Sequence, residues 1–305
     1  FKYFPTPSLT SLSVSKGPSR GGTLVEVKGS NLSEYCCWYC NFGGTWVPAF
    51  YLSESARLCE APSKVYQKYQ VKLSSNMQEE SNSFEFEYLN DMQVTSLEPG
   101  LGPGEGNTQV TIFGKNLENT LNCRFGSVVV EVDQKDQDKV KCTSPKVYGS
   151  GVVAVDLSEN GQDFTGDLKF EYIKDMLVER VQPPFLFTSG NTEVILYGSN
   201  FVESITCRVN SEIRPTQFVS QEEIKCSLPE TILESKVSIE LTSNLQNFES
   251  FPEVTNLQVY PDPAIDLVSP NQTITNTLVT ATVKNLVDSS YIVCKVGGVE
   301  TSWRA

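Results

Sequence analysis

Short runs of alternating apolar and polar residues recur along the chain. Each run places two apolar residues two positions apart, often with a polar residue between them. The matched pairs are Val25/Val27, Val110/Ile112, Val194/Leu196 and Val279/Ala281. A period of two is typical of β-strands with one buried face, and glycine-rich turn signals precede most of these runs. Helical periodicity never extends beyond about two turns, so the pattern predicts an all-β chain.

A Gly-x-Asn-Leu/Phe motif follows each run and sets a regular period. It occupies residues 29–32, 114–117 and 198–201, and a fourth copy at 283–286 lacks the glycine. The asparagines are 85, 84 and 85 residues apart. Cys-x-x-Pro and Leu-Ser/Thr-x-Asn motifs repeat with the first three copies. Repeats of this length, built of short strands and frequent turns, suit a seven-strand sandwich.

The order of these motifs resembles the IPT/TIG domain, the immunoglobulin-like domain shared by plexins, some growth-factor receptors and some transcription factors. Residues 40–43 and 123–126 have its Cys-x-Phe-Gly motif, whereas residues 207–210 read Cys-Arg-Val-Asn. The resemblance covers essentially the whole chain. It implies tandem immunoglobulin-like β-sandwiches, but it is weak for function because the domain serves as a generic spacer and binding module.

The period divides the chain into three complete sandwiches and a partial fourth. We expect them at residues 8–90, 91–174, 175–262 and 263–305. Residues 1–7 are then a stray last strand and linker, since Tyr3 lies 28 residues before Asn31, just as Tyr88 lies 28 before Asn116. One explanation is a window cut from a longer array. The other is head-to-tail strand exchange between copies, with Phe1, Tyr3 and Phe4 as strand donors.

Six of the nine cysteines form pairs separated by 19 residues. We expect disulfides within each sandwich, which would place the chain in the oxidising secretory pathway, extracellular or at the cell surface. The expected pairs are Cys40–Cys59, Cys123–Cys142 and Cys207–Cys226. Reduced core cysteines and metal ligands are the alternatives. Cys36, Cys37 and Cys294 are left over as unpaired or intermolecular candidates.

Charge and composition exclude several function classes. The net charge of −13 argues against binding nucleic acid or an anionic membrane surface, and no apolar run is long enough for a membrane helix. The chain has no histidine, so it lacks the commonest general base and metal ligand. No nucleophile–base pair can be assembled. We therefore expect no enzyme activity, no cofactor and no metal site.

Two sequons, at Asn31 and Asn271, predict N-linked glycans. Asn31 is also the asparagine of the repeat, for which a role in a turn is the alternative. Together these features favour a non-catalytic extracellular structural or adhesive array, and one form of it would be the head-to-tail repeating subunit of a glycosylated surface filament. The alternative is the stalk of a plexin-like receptor ectodomain. Its partners would be other copies of the chain or a protein ligand.

Overall fold

The computed structural model describes residues 5–34, 37–189, 193–270, 272, 278–287, 293–296 and 299–301. The chain folds as two compact units that divide between Ile173 and Lys174. The first unit contains two sandwiches. The second contains a third sandwich followed by four strands. The described part of the chain is almost entirely β-structure, as the alternating pattern predicted.

The first sandwich contains eight strands. They are Ser8–Leu12 (β1), Lys16–Pro18 (β2), Leu24–Ser30 (β3), Trp38–Phe42 (β4), Thr45–Ser53 (β5), Ala56–Glu60 (β6), Gln67–Ser74 (β7) and Phe84–Leu89 (β8). They follow one continuous path in the order β1-β3-β6-β5-β4-β7-β8-β2. The path is continuous because the long β5 pairs with β4 over its first half and with β6 over its second.

The second sandwich contains nine strands in two sheets. They are Gln93–Glu98 (β9), Leu101–Pro103 (β10), Gln109–Lys115 (β11), Asn122–Phe125 (β12), Val128–Glu131 (β13), Gln134–Lys135 (β14), Lys139–Thr143 (β15), Gly151–Ser158 (β16) and Phe164–Ile173 (β17). One sheet has the order β14-β15-β11-β9, and the other has the order β10-β17-β16-β12-β13.

The third sandwich repeats this two-sheet plan. Its elements are Leu177–Gln182 (β18), Phe185–Phe187 (β19), Glu193–Ser199 (β20), Thr206–Val209 (β21), Glu212–Arg214 (β22), Thr216–Ser220 (β23), Glu223–Ser227 (β24), Lys236–Thr242 (β25), Glu249–Ser250 (β26), the one-turn helix Pro252–Thr255 (α1) and Asn256–Tyr260 (β27). The sheets have the orders β18-β20-β24-β23 and β19-β27-β25-β21-β22, with β26 beside β25.

Two antiparallel hairpins follow the third sandwich. They pair Ala264–Ser269 (β28) with Thr280–Lys284 (β29), and Cys294–Val296 (β30) with Val299–Thr301 (β31). Every residue of β28 is exposed. Within the described residues, no helix has the length and apolar character that crossing a membrane requires.

At the start of each complete sandwich the chain switches from an antiparallel partner strand to a parallel one. In the second sandwich, β9 pairs antiparallel with β11 in one sheet, and β10 then pairs parallel with the last strand, β17, in the other. The same switch occurs at β2 and at β19. In the second and third sandwiches this switch ties the two sheets together before the core strands begin.

The glycine of the Gly-x-Asn motif lies at an irregularity in the pairing between the first strand and its antiparallel neighbour. A Cβ atom on Gly29, Gly114 or Gly198 would collide with a backbone carbonyl oxygen of that first strand. The apolar residue that directly follows the asparagine is buried, at Leu32, Leu117 and Phe201. The motif thus combines a close backbone approach with a core anchor.

A disulfide joins the two halves of each sandwich core. The three bonded pairs are Cys40–Cys59, Cys123–Cys142 and Cys207–Cys226. All six cysteines are fully buried. In the second sandwich the bond links β12 of one sheet to β15 of the other. By the chain-entropy model, closing a loop of this size stabilises the sandwich by about 3 kcal/mol.

The third sandwich fills its core differently from the first two. In the second sandwich Gly102 lies beside Tyr172, whereas in the third the equivalent pair is Leu186 beside Val259. A Cβ atom at Gly102 would collide with the hydroxyl of Thr108 and meet the ring of Phe170. Leu186 is fully buried in the third sandwich, where Leu257 stands at the position of Phe170. Val209 likewise stands at the position of Phe125.

Tyr88 and Tyr172 occupy equivalent positions in the last strands of the first and second sandwiches, but only one of their hydroxyls forms a hydrogen bond. The Tyr172 hydroxyl donates to the carbonyl of Pro145 at 3.0 Å, which gives the Cys-x-x-Pro motif a partner in the last strand. The buried Tyr88 hydroxyl has no hydrogen-bond partner. Burial raises the pKa of Tyr172 to about 12 and raises that of Tyr88 as well, so both remain neutral.

Replacing these two tyrosines by phenylalanine should have unequal effects. Tyr172→Phe removes a buried hydrogen bond and should lower the free energy of unfolding of the second sandwich by about 1 kcal/mol. Tyr88→Phe removes an unsatisfied hydroxyl and should leave the first sandwich unchanged or slightly more stable. Urea unfolding followed by amide hydrogen exchange in β8 and β17 resolves the two sandwiches. Equal losses would contradict this account.

Candidate functional site: the joints between sandwiches

The asparagine of the repeat binds the linker that precedes its own sandwich. The four asparagines, Asn31, Asn116, Asn200 and Asn285, all have left-handed backbones with φ between 57° and 62°. Their side-chain amides donate to the carbonyls of Thr6, Asp91, Asp175 and Asp262, over 2.8 to 3.1 Å. Asparagine suits the position because it tolerates the left-handed region and supplies a donor. The turn role considered for Asn31 is therefore observed.

Three of the four linker residues are aspartates, and two of these carboxylates also bind the preceding sandwich. Asp91 accepts from the backbone N–H of Arg20 at 3.4 Å. Asp262 accepts from the backbone N–H of Ser189 at 3.2 Å and from the hydroxyl of Thr188 at 2.9 Å. These hydrogen bonds hold the pKa of Asp262 below its usual value. We call the repeat asparagine together with the linker aspartate the linker clamp.

The linker clamp bonds one residue to the sandwiches on both sides of it. At the first joint, the carbonyl of Asp91 accepts from Asn116 in the second sandwich, while its carboxylate faces Arg20 of the first. The guanidinium of Arg20 lies 4.0 Å from the same carboxylate. Because this ion pair is half exposed, it adds little to stability. The directional backbone bonds fix the linker.

The first joint has further direct contacts between the two sandwiches. The Thr23 hydroxyl donates to the Asp163 carboxylate at 2.6 Å, and the Arg20 guanidinium donates to the Thr165 hydroxyl at 3.0 Å. Thr23 is fully buried. The side-chain amide of Asn160 donates both to the carbonyl of Lys16 at 3.1 Å and to Asp163 at 2.7 Å. The turn after β16 therefore packs on the first turn of the first sandwich.

Asn160 belongs to the repeated Leu-Ser/Thr-x-Asn motif, whose common role is local. Its side-chain oxygen accepts the backbone N–H groups of Gln162 and Asp163, at 3.0 and 2.9 Å. Asn76 and Asn244 close equivalent turns in the other two sandwiches. The side-chain oxygen of Asn160 thus closes the turn, and its NH₂ group remains as a donor. That group donates to the carbonyl of Lys16 in the first sandwich, so the turn asparagine also contributes to the joint.

Glu159 is a buried carboxyl group at the centre of this joint. It is 5% exposed, and its Oε1 has no hydrogen-bond partner. A cavity of about 10 Å³ adjoins it, lined by Arg20 and Asp163 among others; this is about the volume of one water. Burial raises the pKa of Glu159 to about 7; Lys16 lowers it, whereas Glu118 and Asp91 add to the rise.

The structure describes some of the left-over cysteines and sequon asparagines and not others. Cys37 is exposed and unpaired, and Cys294 begins β30. Asn31 is exposed, with its amide bonded to Thr6. Cys36, Asn271 and the strand-donor candidates Phe1, Tyr3 and Phe4 lie outside the described residues. Glycosylation and intermolecular pairing stay predictions.

Acidic side chains in the described residues are engaged or scattered. Asp133 accepts the hydroxyl of Thr143 at 2.8 Å, and Asp136 lies 3.5 Å from the ammonium of Lys139. Across the described ranges, no three acidic, cysteine or histidine side chains converge where a metal ion could bind.

Sequence reasoning missed both the linker aspartates and Glu159. The aspartates had a signal, because Asp91 and Asp175 each lie 25 residues before the repeat asparagine that binds them. Glu159 had a weaker one. It occupies the position before the turn asparagine, where the first and third sandwiches have Ser75 and Ser243.

Substitutions of Asn116 should separate the two contributions of the linker clamp. Asn116→Gly keeps the left-handed backbone but removes the bond to Asp91, so it should cost about 1 kcal/mol. Asn116→Ala should cost a further 1–2 kcal/mol, on the order expected for a side chain forced into this region. Urea unfolding followed by hydrogen exchange in β11 measures both. If alanine and glycine were equivalent, the backbone would not need a left-handed residue here.

A family model and several known proteins match this chain. The sequence model of the IPT/TIG domain family matches residues 7–88, 92–172 and 176–255. Mouse Plexin-A2 is 25% identical over 295 residues, covering 87% of this chain and 16% of the relative. Zebrafish Plexin-A4 is 26% identical over 292 residues, covering 86% and 15%.

The chain spans about a sixth of the length of these curated relatives. Among solved structures, the full extracellular region of Plexin A4 is similar over 97% of this chain and 30% of that one, with 20% identity and a TM-score of 0.43. Three matched repeats cover most of the sequence and coincide with the three sandwiches that share the linker and disulfide architecture. The chain belongs to the IPT/TIG domain family.

Proposed function

We propose that this chain is a non-catalytic extracellular spacer in the stalk of a plexin-like cell-surface receptor. The observation that carries the proposal is the linker clamp, which bonds a linker residue to both neighbouring sandwiches at the first joint. A segment that transmits position needs joints of this kind. A set of independent binding modules needs only flexible linkers.

The cores and the relatives support the compartment. Each sandwich contains a buried disulfide, and such bonds persist in oxidising compartments. The relatives named above are plexins. The acidic net charge of −13 disfavours nucleic acid and anionic membranes as partners, which leaves a protein as the expected partner of the whole receptor.

The filament hypothesis finds no support in these relatives. Its donor residues, Phe1, Tyr3 and Phe4, lie outside the described residues, and the described contacts offer no specific observation in its favour. Glycans at Asn31 and Asn271 remain compatible with either reading. The stalk of a receptor, previously the alternative, is therefore the function that we propose.

Surface labelling tests the compartment directly. An antibody raised against this chain should stain intact, unpermeabilised cells that express the full-length protein, because a stalk lies outside the membrane. Staining an intracellular protein in the same cells provides the control for membrane integrity. Signal that arises only after permeabilisation would contradict the proposal.

Sedimentation of the purified chain distinguishes a spacer from a filament subunit. A spacer should keep a monomeric mass of 33.8 kDa across a wide concentration range. Strand exchange between copies would instead give a mass that grows with concentration. Repeating the measurement with a reductant shows whether Cys36, Cys37 or Cys294 links chains.

A further inference from the structure

We propose that the first joint responds to pH through Glu159: the closed joint holds this side chain as a neutral acid, and ionisation loosens the contact between the first two sandwiches. The inference goes beyond a spacer role, because it makes one of the joints adjustable. It rests on where Glu159 lies, on its unmatched oxygen and on the charges that surround it.

The position of Glu159 depends on the closed joint. Its turn follows β16 and packs on the first sandwich through the bond from Asn160 to Lys16 and through the contact of Thr23 with Asp163. With the joint closed, Glu159 is 5% exposed. When the sandwiches separate, this edge of the second sandwich meets water. The solvation of the carboxyl group therefore differs between the closed and the open joint.

A charged carboxylate is poorly accommodated at this position. Oε1 of Glu159 is buried without a hydrogen-bond donor, and a buried unpaired charge costs several kcal/mol. A neutral acid avoids most of this cost. Its O–H can donate to the oxygen of a neighbouring side chain or of a water, for which the adjacent cavity is large enough. Released protons go to solvent, so no other reactant is needed.

Charged groups from the first sandwich, the linker and the second sandwich surround Glu159. The first sandwich contributes Lys16 and Arg20, which favour the ionised form. The linker contributes Asp91, and the second sandwich contributes Glu118 and Asp163. Both cations have other contacts: Arg20 binds Asp91 and Thr165, while Lys16 is held through its backbone. Neither one donates a hydrogen bond to the buried oxygen.

A bound cation is a poor alternative to a proton at this position. Three acidic groups that converge on one point are not found here or elsewhere in the described ranges. The cavity next to Glu159 measures about 10 Å³, which is room for about one water. A proton on the carboxyl satisfies the site with no further ligand.

Linkage fixes the direction of the effect. Burial raises the pKa of Glu159 from 4.5 to about 7 when the joint is closed. The closed joint therefore binds a proton more tightly than the open joint, so it is most favoured below about pH 4.5 and loses this advantage as the pH rises towards 7. Above about pH 7, the closed joint bears the full cost of the buried charge.

The test uses amide hydrogen exchange on the whole chain at pH 5.5 and 8.0, with rates corrected for intrinsic exchange. For pKa values of 4.5 and about 7 in the open and closed joint, linkage predicts that protection in residues 16–23 and 158–165 falls up to about 25-fold between these pH values. Protection in β25 of the third sandwich should not change and provides the internal reference.

Two neutral variants should remove this pH dependence. Glu159→Gln resembles the neutral acid in shape, so its joint should stay protected at both pH values. Glu159→Ser introduces the residue that Ser75 and Ser243 provide in the other sandwiches, which the fold already accommodates. Glu79→Gln changes an exposed carboxylate of the equivalent turn in the first sandwich, and it should behave like the unaltered chain.

Direct titration of the carboxyl group completes the test. The side-chain ¹³C resonance of Glu159, assigned by its loss in Glu159→Gln, should titrate near pH 7. A midpoint near 4.5 would show that the closed joint accepts the ionised form, and the proposal would then be wrong. It would equally be overturned by constant protection in the unaltered chain, or by the same pH dependence in Glu159→Gln. Surface localisation does not bear on these outcomes, so the spacer proposal stands or falls separately.

Discussion

The bond from the repeat asparagine to the linker carbonyl organises this molecule. Asn116 can reach the carbonyl of Asp91 because its backbone turns left-handed directly after β11. This turn follows Gly114, where the paired strand β9 lies too close for a side chain. One motif therefore includes the close approach of two paired strands, the core anchor at Leu117 and the bond that positions the linker. The bond from the asparagine to the linker carbonyl recurs at each repeat, so it has the same spacing as the sequence motif.

Differences between copies show what the repeat can change without losing this arrangement. The third sandwich replaces Gly102 of the second with the buried Leu186 and has the smaller Val259 in place of Tyr172 on the paired strand. The second sandwich replaces the serine before its turn with Glu159. The first change stays inside one core, where volume can be conserved. The second lies at a contact between sandwiches, where it alters how that contact depends on protonation.

Much of the fold could be predicted because its signals are local. Alternation predicted the strands, and the spacing of Cys123 and Cys142 indicated the pair that bridges the sheets. The asparagine could be recognised as a marker and as a turn residue. Its bond across 25 residues to Asp91 could not, because the acceptor is a backbone carbonyl and carries no side-chain signature.

The site at the first joint was harder to predict for a physical reason. Glu159 is buried at the joint, where Pro18 and Arg20 of another sandwich line the same small cavity. In a single sandwich the same glutamate would be one more acid on a polar loop. Its departure from serine at the equivalent positions was visible in the sequence, but the consequence depends on packing between repeats.

The central claim is that the linker clamp makes the first two sandwiches move as one body. Residual dipolar couplings of backbone amides in the whole chain, measured at pH 5.5 where the joint is closed, test this most directly. Couplings from the cores of the first and second sandwiches should fit one alignment tensor. Two tensors of clearly different magnitude would show independent motion, and they would contradict the account.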